Sequence, residues 1–240
     1  MDLFSGNGGV SRAIHSMGFK SKFWDIKHGS AHDLTDNSVI DRIIREIRKG
    51  KVLACMMAPV CTSFSVARDR TQVIRSRRFP WGIPSRFLSE KEIADIRLGN
   101  ACFRSCFRIL QALDEHRVPY ILENPDTSKA WYLPQMRRQL ALPWAKYIRS
   151  DFCCFGTPWR KRTGFLCGHV PCEDLTRLSK VCSSVNHTCD LTGKKHVRLT
   201  GNRHGIPLTK WAEPYPQRLC TALAFALTAQ QHTSLASRFQ

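Results

Sequence analysis

The chain has 240 residues, 42% of them apolar, which is the balance of an ordinary globular protein and excludes a disordered one. No run of about 18 apolar residues is present to cross a membrane, and the first residues lack the basic-then-apolar pattern of a secretory signal. With 37 Lys and Arg against 19 Asp and Glu, the formal net charge of +18 favours a polyanionic partner, because each neutralised phosphate releases a counterion.

Met1–Phe4 is a short apolar run, followed by Ser5-Gly6-Asn7-Gly8-Gly9 and then by apolar residues at helical spacing (Val10, Ala13, Ile14, Met17) that stop at Gly18. Phe19–Ile26 predicts a strand with an acid, Asp25, near its end. Val39–Ile47 repeats isoleucines on one helical face, and Lys51–Met57 predicts a buried strand bounded by Gly50 and Pro59. This order predicts α/β units on a mostly parallel sheet. Arg68–Ser89 is a long loop in which Arg68, Arg70, Arg75, Arg77, Arg78 and Arg86 alternate with Phe79, Trp81 and Phe87. Glu90–Leu113 predicts a long amphipathic helix. Val118–Leu122 predicts a buried strand running into Glu123-Asn124-Pro125. Ala145–Cys154 predicts a strand region leading into Phe155-Gly156-Thr157-Pro158. Thr163–Gly205 is irregular and rich in Cys, His, Gly and Thr, and Leu219–Ala229 predicts a last apolar helix.

Glycines between a strand and a helix let the backbone turn tightly and approach a ligand, so Phe4, Ser5, Gly6, Asn7, Gly8 and Gly9 form a candidate cradle for an adenosine-containing cofactor. Asp25, about 20 residues on, is placed to hydrogen-bond ribose hydroxyls, with Ile26 beside it. Asp33 and Leu34 are candidates to lie near an adenine ring; the plainer reading of Asp33 is a turn cap. Cys61 follows a buried strand where a parallel sheet presents its ligand edge, which suits a nucleophile; a buried structural thiol is the plainer alternative. Eleven cysteines, an odd number with no export signal, point to free thiols in a reducing, intracellular compartment, the nucleus if the cell is eukaryotic.

Four segments, in order, carry a resemblance to one family. Asp2-Leu3-Phe4-Ser5-Gly6-Asn7-Gly8-Gly9 resembles the DLFxGxGG motif of cytosine-5 DNA methyltransferases. Pro59-Val60-Cys61-Thr62-Ser63-Phe64-Ser65 is similar to their PPCQxFS, Glu123-Asn124-Pro125 to their ENV, and Phe155–Thr163 to their YGxPQxRxR. Glu213-Pro214-Tyr215-Pro216 with Leu219-Cys220 looks like the closing segment of divergent, phage- or mobile-element-like members. Val60, Thr62, Pro125 and Trp159 depart from the motifs, and Lys161 and Thr163 stand at the two arginine positions.

The resemblance implies a Rossmann-like, class I S-adenosylmethionine-dependent fold that acts on a cytosine flipped out of double-stranded DNA. It implies Cys61 as the nucleophile on carbon 6, Glu123 as the acid at N3, and Lys161 as a contact to the base or nearby phosphates. Pro59 joins the cofactor residues; Ser65, Arg68, Arg70, Arg75, Arg160, Arg162 and Thr163 are the expected DNA contacts. The expected organisation is a catalytic unit over 1–163, a target-recognition region over 164–211 and a returning helix over 212–240, as a monomer or one domain of a larger polyprotein. The irregular region also holds a candidate structural zinc set, Cys182, Cys189 and His196 with Cys167 or His187, and of these two Cys167 completes the preferred set. Three other readings stay open: an RNA cytosine-5 methyltransferase, a catalytically silent DNA-binding relative, and a zinc-stabilised interaction domain.

Overall fold

Residues 1–184 and 186–236 are described in the computed structural model, the side chains of Arg70 and of residues 231–236 excepted; the last four residues of the 212–240 region lie outside it. In chain order the strands are β1 (Asp2–Leu3), β2 (Phe23–Trp24), β3 (Cys55–Met57), β4 (Tyr120–Pro125), β5 (Ala145–Asp151) and β6 (Arg162–Gly168). They form a single sheet in the order β2-β1-β3-β4-β6-β5. β2, β1, β3 and β4 run parallel, and β6 lies antiparallel between β4 and β5. The helices are α1 (Gly9–Ser16), α2 (Asn37–Arg48), α3 (Glu90–Glu115), α4 (Pro134–Leu140), α5 (Leu208–Trp211) and α6 (Gln217–Ala236). A small ribbon, β7 (Asn202–Arg203) with β8 (Ile206–Pro207), lies apart from the sheet. The expected α/β architecture with a mostly parallel, Rossmann-like sheet is therefore present.

Strand alternation explains the layering. Cys55, Met57, Tyr120, Leu122 and Leu166 point into one core with α2 and α3, while Met56, Ile121, Phe165 and Cys167 point into the other with α1 and α6. α2 buries Val39, Ile40, Ile43, Ile44 and Ile47 on one face and is capped by Asp36, whose side chain accepts from Ser38 N. α3 opens with a capping box between Ser89 and Glu92 and extends to Glu115, two residues beyond the expected end.

The chain leaves β1 through α1 toward β2, then returns through α2 to β3 on the other side of β1. The strand order reverses there, so the carboxyl ends of β1 and β3 flank a crevice, the place where open α/β sheets bind ligands. Ser5 N donates to Trp24 O and Ala58 N donates to Leu3 O, which ties the loops after these strands together.

The observed strands differ from expectation at both ends of the chain. The strand expected over Phe19–Ile26 is only Phe23–Trp24, and that over Lys51–Met57 only Cys55–Met57. The expected strand region Ala145–Cys154 stops at Asp151 and continues as a tight 3-10 turn, Phe152–Phe155. The segment from Thr163 on was expected as irregular chain, whereas Arg162–Gly168 is a strand of the main sheet.

Candidate active site

The loop after β1 is built by left-handed backbone. Phe4, Gly6 and Gly8 all have positive φ, at 57°, 54° and 66°, and Gly8 caps α1. Space around Gly6 is open to 4 Å from an added Cβ. Asp25 fixes this loop from the end of β2: its carboxylate accepts from Gly6 N at 2.8 Å and from Lys27 N at 3.0 Å. Ile26, beside it, is 58% exposed. Ser5 Oγ is buried without a hydrogen-bond partner, and Asn7 is exposed. Asp33 accepts from Thr35 N and Oγ1, so it caps a turn, and Leu34 is packed in the core. Gly9 lies against α6, where an added Cβ would meet Cys220 Sγ at 2.8 Å.

Cys61 follows Pro59, itself buried, and starts the 3-10 turn Thr62–Phe64. Its thiol is pushed up to about 11 by burial first and by the Glu123 carboxylate second, with Lys161 acting against both. Glu123 stands near the end of β4, 6% exposed. Burial raises its carboxyl above the usual range, opposed by Lys161 and by the Tyr215 hydroxyl. These mutual influences place Cys61, Glu123 and Lys161 within electrostatic reach of one another. Lys161 lies with its ammonium 4.7 Å from the centre of the Phe152 ring.

Two neighbours were not singled out from sequence. Asn124 is fully buried, and its side-chain amide donates to Pro59 O at 3.3 Å, which holds the Cys61 loop against β4. Tyr215, just before α6, faces Glu123. Both residues sat inside quoted motifs, but no spacing argument assigned them a contact. Asn124 Oδ1 and Thr163 Oγ1 are buried without a hydrogen-bond partner, and Thr163 is the cross-strand partner of Pro125, next to Asn124. Buried polar atoms are normally satisfied, so this pair, beside the Glu123 carboxyl and the Tyr215 hydroxyl that faces it, suits a polar ligand.

The expected DNA contacts divide. Arg162 is exposed, at the start of β6. Ser65 accepts from Ala67 N and caps the following turn. Arg68 pairs with Asp95 at 3.0 Å. The Arg70 side chain lies outside the described residues. Arg75 cannot serve: it is fully buried, donates to Ser63 O, Ser63 Oγ, Pro80 O, Asn100 Oδ1 and Ile96 O, and lies 3.7 Å from the Phe64 ring centre. Thr163 is likewise fully buried in the sheet, and Arg160 is consumed internally, donating to Asp151 Oδ2 at 2.9 Å and to Cys182 O. Cys167, expected as a metal ligand, points from β6 into the core among aliphatic side chains; Cys153 takes its place beside Cys182, Cys189 and His196.

No family model matches the chain, and no curated protein matches it. Among solved structures it is similar to the methyltransferase EhMeth of Entamoeba histolytica, at 15% identity and a TM-score of 0.37, over 71% of this chain and 52% of that one. The chain thus spans about half the length of that structure.

Proposed function

We propose that this chain is a DNA (cytosine-5) methyltransferase. The observation that carries the reading is the meeting, at one carboxyl sheet edge, of the Cys61 thiol, the buried Glu123 carboxyl and the Lys161 ammonium, with the Tyr215 hydroxyl facing Glu123 and an unpartnered Asn124 carbonyl beside them. The cradle fits an adenosine-containing donor: open space at Gly6, an unpartnered Ser5 Oγ, and exposed Ile26 beside Asp25. Those residues would hold S-adenosylmethionine, which supplies an electrophilic methyl group when bound.

The chain's own residues account for the rest. The Cys61 thiolate forms a C–S bond to carbon 6 of an extruded cytosine, and the ring's electron pair moves to carbon 5. Glu123 in its protonated form donates to N3, which neutralises the ring as sulfur attacks. Neutral Glu123 also no longer opposes the thiolate, so the two steps favour each other. After carbon 5 is methylated, solvent water takes its proton, the freed electron pair restores the C5–C6 double bond and expels the Cys61 thiolate, and the N3 proton returns to Glu123. Lys161 stabilises negative charge on sulfur and on the ring.

The test is transfer of labelled methyl from S-adenosylmethionine to duplex DNA and, in parallel, to tRNA, with Cys61→Ala beside the parent. Transfer to DNA that disappears in the variant, together with a covalent adduct on 5-fluorocytosine DNA, is the expected result. Transfer to tRNA alone moves the reading to an RNA enzyme. Absence of both transfer and adduct returns the chain to a silent relative.

A further inference from the structure

Cys153 lies in the turn after β5, and Cys182, Cys189 and His196 lie in the irregular segment after β6. Their ligand atoms all lie within 4.8 Å of one another. Cys182 Sγ is 4.0 Å from Cys189 Sγ and 3.8 Å from His196 Nε2. Tetrahedral Zn–S bonds of ~2.3 Å imply ligand separations of roughly 3.8 Å, so the four atoms are already spaced for one ion.

The surroundings separate this group from ordinary buried thiols. Cys55, Cys106, Cys167 and Cys220 pack among aliphatic and aromatic side chains. Cys153, Cys182 and Cys189 instead form a small cluster of their own with Cys154, apart from both cores. Among the described residues of that segment, the apolar Val181, Leu191 and Val197 are 52%, 63% and 45% exposed. It buries sulfur and leaves its hydrocarbon outside, so hydrophobic burial does not explain why it is held.

The scaffold around the sulfurs is specific. Cys182 N donates to Asp151 Oδ2 at 2.9 Å, the oxygen that also receives Arg160 Nε. A hairpin bridged at Thr188 and Lys195 brings His196 back beside Cys189, with Cys189 N donating to Lys194 O and His196 N to His187 O. Asn186 and His187 both hold left-handed backbone, a conformation that persists where surrounding structure over-determines it.

We propose that Cys153, Cys182, Cys189 and His196 form a structural zinc site that clips segment 180–197 onto the turn after β5. Three thiolates and an imidazole suit a borderline-soft ion in a closed tetrahedron, which leaves no open position for catalysis. The clip has a consequence for the neighbouring loop. Val197 N donates to Pro158 O at 2.8 Å, and Arg160 Nη2 donates to Cys182 O, so the segment held by the metal braces both sides of the loop that ends in Lys161.

The experiment is metal analysis of the full chain purified without chelator, with Cys153→Ser, Cys182→Ser, Cys167→Ser and Cys172→Ser in parallel. The parent is expected to hold about one zinc, lost at least ~10-fold in the first two variants and kept in the last two. Cobalt loaded into the parent gives tetrahedral d–d bands and sulfur-to-cobalt charge transfer, and this decides the matter if a ligand variant fails to fold. Zinc-free parent with octahedral cobalt overturns the proposal. So does a Cys182–Cys189 disulfide in the native protein, or zinc that depends on Cys167 or Cys172. None of these readouts involves methyl transfer, so the site and the proposed reaction stand or fall separately.

Discussion

The thiol of Cys61 sits between a carboxylate that disfavours its ionised form and an ammonium that favours it, inside a buried setting that disfavours it further. The two neighbours therefore have opposite, separable effects. Replacing Glu123 by Gln removes the negative charge, lowers the thiol's titration and speeds alkylation of Cys61 by iodoacetamide at mildly alkaline pH, by about 3- to 10-fold. Replacing Lys161 by Met slows it by a similar factor. Mass-spectrometric rates at Cys61 across pH read both, and equal rates in the two variants would break the electrostatic picture. The same carboxyl carries a stability signature. A carboxyl raised above its unfolded value contributes stability that is full below the unfolded value and lost as pH rises through the folded one. Glu123→Gln thus raises the unfolding midpoint relative to the parent in mildly alkaline solution and not in acid, where the parent carboxyl is protonated in both states; thermal melts at the two pH values read the difference. That Cys61 and Glu123 come near each other was legible in sequence, because each follows or ends a buried strand of one parallel sheet. The fates of Arg75 and Arg160 were not, since a basic residue in a basic run carries no mark of which way it points. Only the carbonyls around Arg75 and the carboxylate beside Arg160 decide that. Cys153 escaped for the same reason: the cysteines and histidine it joins, Cys182, Cys189 and His196, lie roughly 30 to 40 residues on in sequence and meet it only through the fold.

At the scale of elements, β6 is where sequence patterning fell short. Thr163-Gly164-Phe165-Leu166-Cys167-Gly168 is short and has glycine at two places, which reads as irregular chain. It is a strand because it pairs along its whole length with both β4 and β5. The glycines are there for the neighbouring rings. A Cβ on Gly168 would lie 2.1 Å from Tyr120 Cζ, and one on Gly164 2.2 Å from Tyr147 Oη. Tyr120 has little freedom to move, being fully buried and hydrogen-bonded through its hydroxyl to Asp114 and Gln139. Gly168→Ala is accordingly expected to cost about 1–3 kcal/mol by overpacking, measured as a fall in the urea midpoint. A change within measurement error would mean that the ring and strand are not in this contact. The helices were easier to foresee, because the isoleucine stripe of α2 and the capping box of α3 are local signals. The first three strands shrank because an apolar run is compatible with strand or buried loop alike, and only the neighbours' hydrogen bonds set its length.

For the whole molecule, the charge of +18 is distributed unevenly in what it does. Arg68, Arg75 and Arg160 are taken up by internal carboxylates and carbonyls, so they hold loops in place. Arg77, Arg78 and Arg86 remain exposed, stacked on Tyr132, Phe79 and Phe87, and the last two rings are themselves 40% and 59% exposed. Cations interleaved with accessible rings suit a polynucleotide, the charges for phosphates and the rings for unstacked bases. Affinity for duplex DNA is then expected to fall linearly in log–log plots against salt, with about 0.9 of slope per phosphate contact. Arg77→Ala, Arg78→Ala and Arg86→Ala should each reduce the slope by about one where the arginine meets a phosphate. Arg75→Met should leave the slope unchanged while lowering the midpoint of unfolding, because its guanidinium is buried and never meets solvent ions. If instead the Arg75 variant alone changes the slope, the loop from Arg68 to Ser89 is arranged differently in the DNA complex. If none of the exposed arginines changes it, the charge on this loop is a solvated face.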